Sequence, residues 1–166
     1  MLGTALVRSF NQNYSVYGCD IIENPGLKNA IVETYDLSDS KRLEQELSEI
    51  QPDLVINCAA MINVDGCEDN PKLAEKINAD IPKTLAELSK KFSFKLIQIS
   101  TDAVFDGNKD TLYSENDTVN PLNVYAKTKL LGEQYIQKIS SNHTILRTNI
   151  YGWNLKKVHF AEWIYN

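Results

Sequence analysis

The 166-residue sequence has no excess of positive charge: 17 lysines and arginines stand against 22 acidic residues, a net charge of −5. That balance argues against a nucleic-acid partner and against an anionic membrane surface. No apolar run approaches the ~20 residues of a membrane span. The N-terminus lacks a basic segment followed by an apolar one, so no secretory signal is read. Cysteine is scarce and odd in number (Cys19, Cys58 and Cys67), with no C-x-x-C spacing. Reduced thiols in a cytoplasmic protein follow, with Cys19 and Cys58 expected to be buried in strand-like runs. Histidine occurs only at His143 and His159, neither with a partner at ligand spacing, so no metal is expected. Repeats and low-complexity linkers are also absent.

What is present alternates between two periods. Residues 15–21 read as a strand. Residues 39–50 read as a helix with Leu43, Leu47 and Ile50 on one face, Ser38 as its N-cap and Pro52 as its stop. Residues 54–59 form a short apolar run of the kind buried on both faces of a sheet. Asn70-Pro71 opens a helical stretch to about Lys91, which Pro82 is expected to break or kink. Residues 95–100 and 144–147 read as strands. Between them, residues 124–139 read as a helix with an apolar stripe of Leu131, Tyr135 and Ile139. Strands alternating with helices predict an α/β protein with a parallel sheet, whose ligands bind at the carboxyl ends of the strands. Asp20, Asn57, Ser100 and Thr101 collect at those ends, and Asp36 lies in a loop before a helix. The chain opens as though inside a helix, and residues 153–166 begin an amphipathic segment with Phe160, Trp163 and Ile164.

The segment Tyr125-Ala126-Lys127-Thr128-Lys129 sets a tyrosine and a lysine four apart on one helix face. A cation near a phenol favours the phenolate, so such a pair can exchange a proton with a carbonyl oxygen near neutral pH. With 8 tyrosines in the chain, chance alone supplies about 0.7 such pairs. The context therefore decides, and a hydroxyl at the preceding strand end, in Ser100-Thr101-Asp102, supplies part of it.

Several blocks extend that context: Met1-Leu2-Gly3, Asp36-Leu37, Asn57-Cys58-Ala59-Ala60, Val64-Asp65 with Glu68, Asn78-Ala79, the STDAVFDG stretch of residues 100–107, PLNVYAKTK at 121–129 with Gly132-Glu133, and Arg147-Thr148. In order and spacing the chain resembles the extended short-chain dehydrogenase/reductases. Among them it is most similar to dTDP-4-dehydrorhamnose reductase and related sugar-nucleotide reductases. The resemblance implies a Rossmann-like, doubly wound parallel sheet in three α/β/α layers. It makes residues 1–166 an NAD(P)-binding domain that lacks its first strand and its C-terminal substrate lobe. Gly3 resembles the third glycine of a phosphate loop, with Leu2 beside it. Asp20 takes the place of the acid that binds the adenosine ribose, which leans the cofactor towards NAD over NADP, since only Lys28 lies downstream. Asp36 and Leu37 resemble the adenine contacts, and Asn57, Ala59, Ala60 and Met61, with Ile62, the wall along the cofactor. Thr101 resembles the catalytic hydroxyl, Tyr125 the proton donor, and Lys129 the group that lowers the tyrosine's pKa and holds the nicotinamide ribose. Asp102 is implied as a sugar contact.

The implied activity is NAD(P)H-dependent reduction of a nucleotide-linked 4-keto sugar in the cytoplasm, in a chain whose relatives are commonly homodimers and whose apolar tail suits a partner. Ala103 stands where the rhamnose enzymes often carry an aromatic residue, and Trp153 stands off the register of a tryptophan expected after Arg-Thr, so the sugar stays open. A regulatory subunit on the same fold, like the non-catalytic subunit of methionine adenosyltransferase, is the alternative from another class. A sugar-nucleotide epimerase or dehydratase is the alternative within enzymes. A third reading takes the chain as written for an inactive fragment that binds no cofactor alone.

Overall fold

The structure, a computed structural model, describes residues 2–23, 27 and 30–150. It divides into two compact units, residues 1–37 with 149–166, and residues 38–148. The expectations placed on Met1, Lys28, Trp153, His159 and the apolar tail lie outside the described residues.

In the first unit, helix α1 (Leu2–Phe10) is followed by strands β1 (Tyr17–Asp20) and β2 (Ile31–Thr34). The two strands pair in parallel from Tyr17 opposite Ile31 to Asp20 opposite Thr34. A Cβ on Gly18 would lie 3.3 Å from the Val32 side chain and 3.8 Å from that of Val7, so α1 and β2 both crowd β1 there. The strand expected at 15–21 is shorter at both ends. β2 had no clear sequence signal, because Ile31-Val32 is too short a run to show a period.

The second unit holds the larger core. Helix α2 (Ser40–Ile50) buries Leu43 and Leu47, as their spacing requires. Its N-cap is Asp39, whose carboxylate accepts from the Arg42 amide at 3.2 Å. Ser38 is not the cap, because the helix starts one residue later than expected and the stronger acceptor takes the place. Strands β3 (Leu54–Asn57), β4 (Lys95–Ser100) and β5 (His143–Arg147) form a parallel sheet in that order. Parallel neighbours need crossovers. Helices α3 (Val64–Asp69), α4 (Pro71–Glu75) and α5 (Ile81–Phe92) carry the chain from β3 to β4, and α6 (Val124–Ile139) carries it from β4 to β5. β3 is less buried than its apolar run implied, with Leu54 43% exposed.

Pro82 does not break the helical stretch. A π-helical turn (Lys76–Asp80) precedes it, and the proline sits in the first turn of α5, where its missing N–H costs least. The residue four positions before it, Asn78, loses the N–H that an α-helix would supply to its carbonyl. That carbonyl faces α6, where a Cβ on Gly132 would sit 2.4 Å from it. Glycine is what lets the two helices meet at this point.

The buried face of α6 is not the expected Leu131/Tyr135/Ile139 stripe. Ala126, Lys129, Gly132, Glu133 and Ile136 are buried, and the expected stripe is only half-buried. A pattern of apolar residues misplaces this helix because two of its inward side chains are charged. Among the described residues, no helix is long and apolar enough to cross a membrane.

Candidate functional site

The carboxyl end of β4 and the first turns of α6 build the site. Thr101 is 6% exposed and caps a 3-10 turn (Asp102–Val104) by accepting from the Ala103 amide at 3.2 Å. Its hydroxyl also reaches the Asp102 carboxylate at 3.3 Å. The N-terminus of α6 is fixed twice. Asn123 accepts from the Ala126 amide at 2.8 Å, and Glu68 of α3 accepts from the Val124 amide at 2.8 Å. A carboxylate there is favoured by the helix dipole. This anchorage presents Tyr125 to Thr101.

Tyr125 and Lys129 stand one turn apart, as their spacing predicted, but their electrostatics differ from the expectation. Burial pushes the Tyr125 phenol above its usual pKa near 10. A hydrogen bond with Thr101 acts the other way, and Asp102 and Cys67 add to the rise. The Lys129 ammonium is held by the strand: Nζ donates to the Ile99 carbonyl at 2.7 Å. With Lys129 only 4% exposed, desolvation brings its pKa down to about 8, and Glu133 and Cys58 hold it from falling further.

Behind this pair lies a charged cluster. Glu133 is 1% exposed and accepts from Arg147 Nη2 at 2.7 Å and Nε at 3.1 Å. Ser100 Oγ donates to the same carboxylate. Arg147 lies over the Phe105 ring, its guanidinium carbon 5.3 Å from the centroid, and Phe105 stacks on Tyr113 at 4.4 Å.

A second network holds the wall after β3. Asn57, 4% exposed, donates to Gln98 at 2.8 Å and accepts from the Ala59 amide at 3.1 Å. Asn78 accepts from the Met61 amide at 2.8 Å, donates to the Met61 carbonyl at 3.0 Å and to Thr128 at 3.1 Å. The half-buried segment Ala59-Ala60-Met61 is thereby tied at both ends through its backbone.

The second unit brings together Asn57, Ala59, Ala60, Met61, Thr101, Asp102, Tyr125 and Lys129. The remaining cofactor candidates belong to the first unit. Leu2 and Gly3 lie in the first turn of α1, and Asp20 ends β1, exposed, with its carboxylate taking the Ile22 amide at 3.4 Å. Asp36 is exposed and Leu37 half-buried in the loop after β2. The thiols depart from expectation: Cys67 is fully buried, and Cys19 and Cys58 are only half-buried. Glu133, Arg147 and Asn78 stand in the sequence blocks with no role that the sequence alone assigns. The one available signal was the spacing of Lys129 and Glu133, four apart.

The chemistry of the donor set fits a nicotinamide nucleotide. Lys129 spends one of three ammonium donors on Ile99, which leaves N–H groups able to bind ribose hydroxyls.

The family model described as RmlD substrate binding domain matches residues 1–161. The chain belongs to that family. Similar proteins include the probable low-salt glycan biosynthesis reductase Agl14 of Haloferax volcanii, 36% identical over 99% of this chain and 56% of that protein. The dTDP-4-dehydrorhamnose reductase of Shigella flexneri is 38% identical over 69% of this chain and 38% of its own length. Methionine adenosyltransferase 2 subunit beta of Bos taurus is 35% identical over 89% of this chain and 43% of its own. Among solved structures, a dTDP-4-dehydrorhamnose reductase of Clostridium acetobutylicum superposes with a TM-score of 0.74 at 37% identity, covering 83% of this chain and 50% of the other. One from Bacillus anthracis, in complex with NADP, gives 0.70 at 29% identity, covering 84% and 48%. The parallel α/β architecture is that of these Rossmann-type reductases, as the sequence implied. The chain spans about half the length of the curated relatives it matches.

Proposed function

We propose that this RmlD-family chain carries the proton-transfer centre of a nicotinamide-dependent reductase acting on a nucleotide-linked 4-keto sugar of the dTDP-4-dehydrorhamnose type. The observation that carries the reading is Tyr125 beside the buried Thr101, whose hydroxyl acts on the phenol, with the buried Lys129 one turn away on α6. A reduced nicotinamide supplies the hydride. Tyr125, its pKa raised by burial, is fully protonated at neutral pH and so is in the state a proton donor to the nascent alkoxide requires. Thr101 orients the carbonyl oxygen towards that phenol. Lys129 holds the nicotinamide ribose, and its charge assists proton release from the phenol. Asn57, Ala59, Ala60 and Met61 line the cofactor's path, and Leu2, Gly3, Asp36 and Leu37 take its adenosine half. Asp20 disfavours a 2′-phosphate, a reason for NAD over NADP, and Asp102 contacts the sugar.

The test uses the protein expressed from its full reading frame. Oxidation of NADH and NADPH is followed with dTDP-4-keto sugars, for the native enzyme and for Tyr125→Phe. The substitution is expected to lower kcat by about a thousandfold. Undiminished turnover in Tyr125→Phe would end this mechanism.

A second reading draws on the methionine adenosyltransferase subunit, 35% identical over 89% of this chain. On that reading the protein is a regulatory partner. Stoichiometric co-purification with a methionine adenosyltransferase, and no turnover of any 4-keto sugar, would favour it.

A further inference from the structure

Glu133 is the most deeply buried acid of the site, and none of the steps above uses it. It joins three elements. Ser100, at the end of β4, donates to it; Arg147, at the end of β5, grips it through two nitrogens; and its own helix carries Lys129 one turn earlier. Ser100 directly precedes Thr101, and Lys129 is tied back to Ile99, so the carboxylate and the ammonium of α6 hold successive residues of β4. We propose that Glu133 is a positioning residue, whose carboxylate locks the Ser100-Thr101 strand end and the Lys129 ammonium into working register on α6. This role deepens the reductase reading and rests on it for its kinetic consequences.

A bare structural role would need only a neutralised Arg147. The arrangement goes further, because Glu133 also favours the charged form of Lys129 against the desolvation that lowers it. Among the described residues, the following groups act at this corner. Cys58, beyond β3, and Glu133 act on Lys129, and Asp102 and Cys67 act on Tyr125. Glu68 of α3 sits at the N-terminus of α6, and Lys83 of α5 lies over Tyr135, farther along the helix. Arg147 is the positive charge that Glu133 offsets.

The experiment uses the full-length protein with lysine labelled at Cε, and the Lys129 signal assigned by Lys129→Arg. In Glu133→Gln the shape stays and the charge goes, leaving Arg147 unbalanced. The Lys129 titration midpoint is expected to fall by about one pH unit, and the alkaline limb of the kcat profile with it. Unmoved midpoint and limb would overturn the proposal even if the variant were less stable. Ser100→Ala, which keeps the ion pair, guards against a Glu133→Gln chain that fails to fold. It should lower kcat about tenfold with the keto-sugar KM and the Lys129 midpoint unchanged. An unchanged kcat in Ser100→Ala would refute the positioning of Thr101. If the native protein reduces no keto sugar, the reductase reading falls, and the Lys129 titration still decides whether Glu133 acts on it.

Discussion

Gly132 and Asn78 approach so closely that a Cβ on the glycine would meet the Asn78 carbonyl oxygen at 2.4 Å, with the Pro82 ring 3.3 Å away on the same side. Neither neighbour is the free end of a flexible side chain. Gly132→Ala must therefore push α6 from the π-turn, at an expected cost of about 2–3 kcal/mol. Chemical denaturation checks this, and a loss below about half a kilocalorie would show that the contact relaxes freely.

Lys129 is a liability to the fold. Unfolded, a lysine titrates near 10.5; here the value is about 8. Between the two the unfolded chain binds the extra proton, so stability rises with pH across that window and the full cost is present below it. Lys129→Met is expected to gain about 1–3 kcal/mol at pH 7 and to lose that advantage towards pH 10, while turnover collapses. Denaturant melts at both pH values test it, and a variant less stable than the native chain at pH 7 would refute the claim.

Gln98 is 2% exposed and takes the Asn57 amide at 2.8 Å while donating to the Ile99 carbonyl at 2.8 Å. Gln98→Leu strands the Asn57 donor inside the sheet. The expected loss is about 2 kcal/mol, partly recovered in a double variant with Asn57→Val, which removes the stranded donor and also the acceptor of the Ala59 amide. A fully additive double variant would show that the two side chains do not interact.

Asp106 gathers the loop after the 3-10 turn. Asn120, the Asn108 amide and the Tyr113 hydroxyl all donate to it, and hold its carboxyl well below the usual carboxylate range. Its contribution is present at neutral pH and is lost only in strong acid, as pH falls through that lowered value. Asp106→Ala should free the loop at neutral pH, so that trypsin cuts after Lys109 several-fold faster while the core melts as before. An unchanged cleavage rate would mean that the Lys109–Asp117 pair and the Phe105–Tyr113 stack suffice.

The sequence made the strand at Lys95–Ser100 and the helix at Val124–Ile139 legible to the residue, because long periodic runs between clear breakers leave little choice. It also placed Thr101, Tyr125 and Lys129 together. The burial of α6 stayed hidden, since Lys129 and Glu133 look like surface residues until their partners on β4 and β5 are known. The same holds for the Tyr125 pKa: spacing brought the lysine near, but only the packing shows the ammonium committed to Ile99 and the phenol raised by burial. Long-range pairs such as Arg147 with Glu133 have no local signature at all.

The π-turn works as a phase adjuster. It fits one more residue into a turn than an α-helix does, so the rod running from Pro71 to Phe92 offers differently oriented faces before and after it. The part holding Asn78 serves the Met61 wall, and the part from Ile81 onward packs under the sheet. A one-residue deletion within Lys76–Asp80 would let the turn close to α-helical length with the flanking faces almost in phase. Helix content would survive, and what would be lost is the widened turn that carries Asn78 to Met61 and its carbonyl to Gly132. For this segment, chain length is as strict a requirement as side-chain identity.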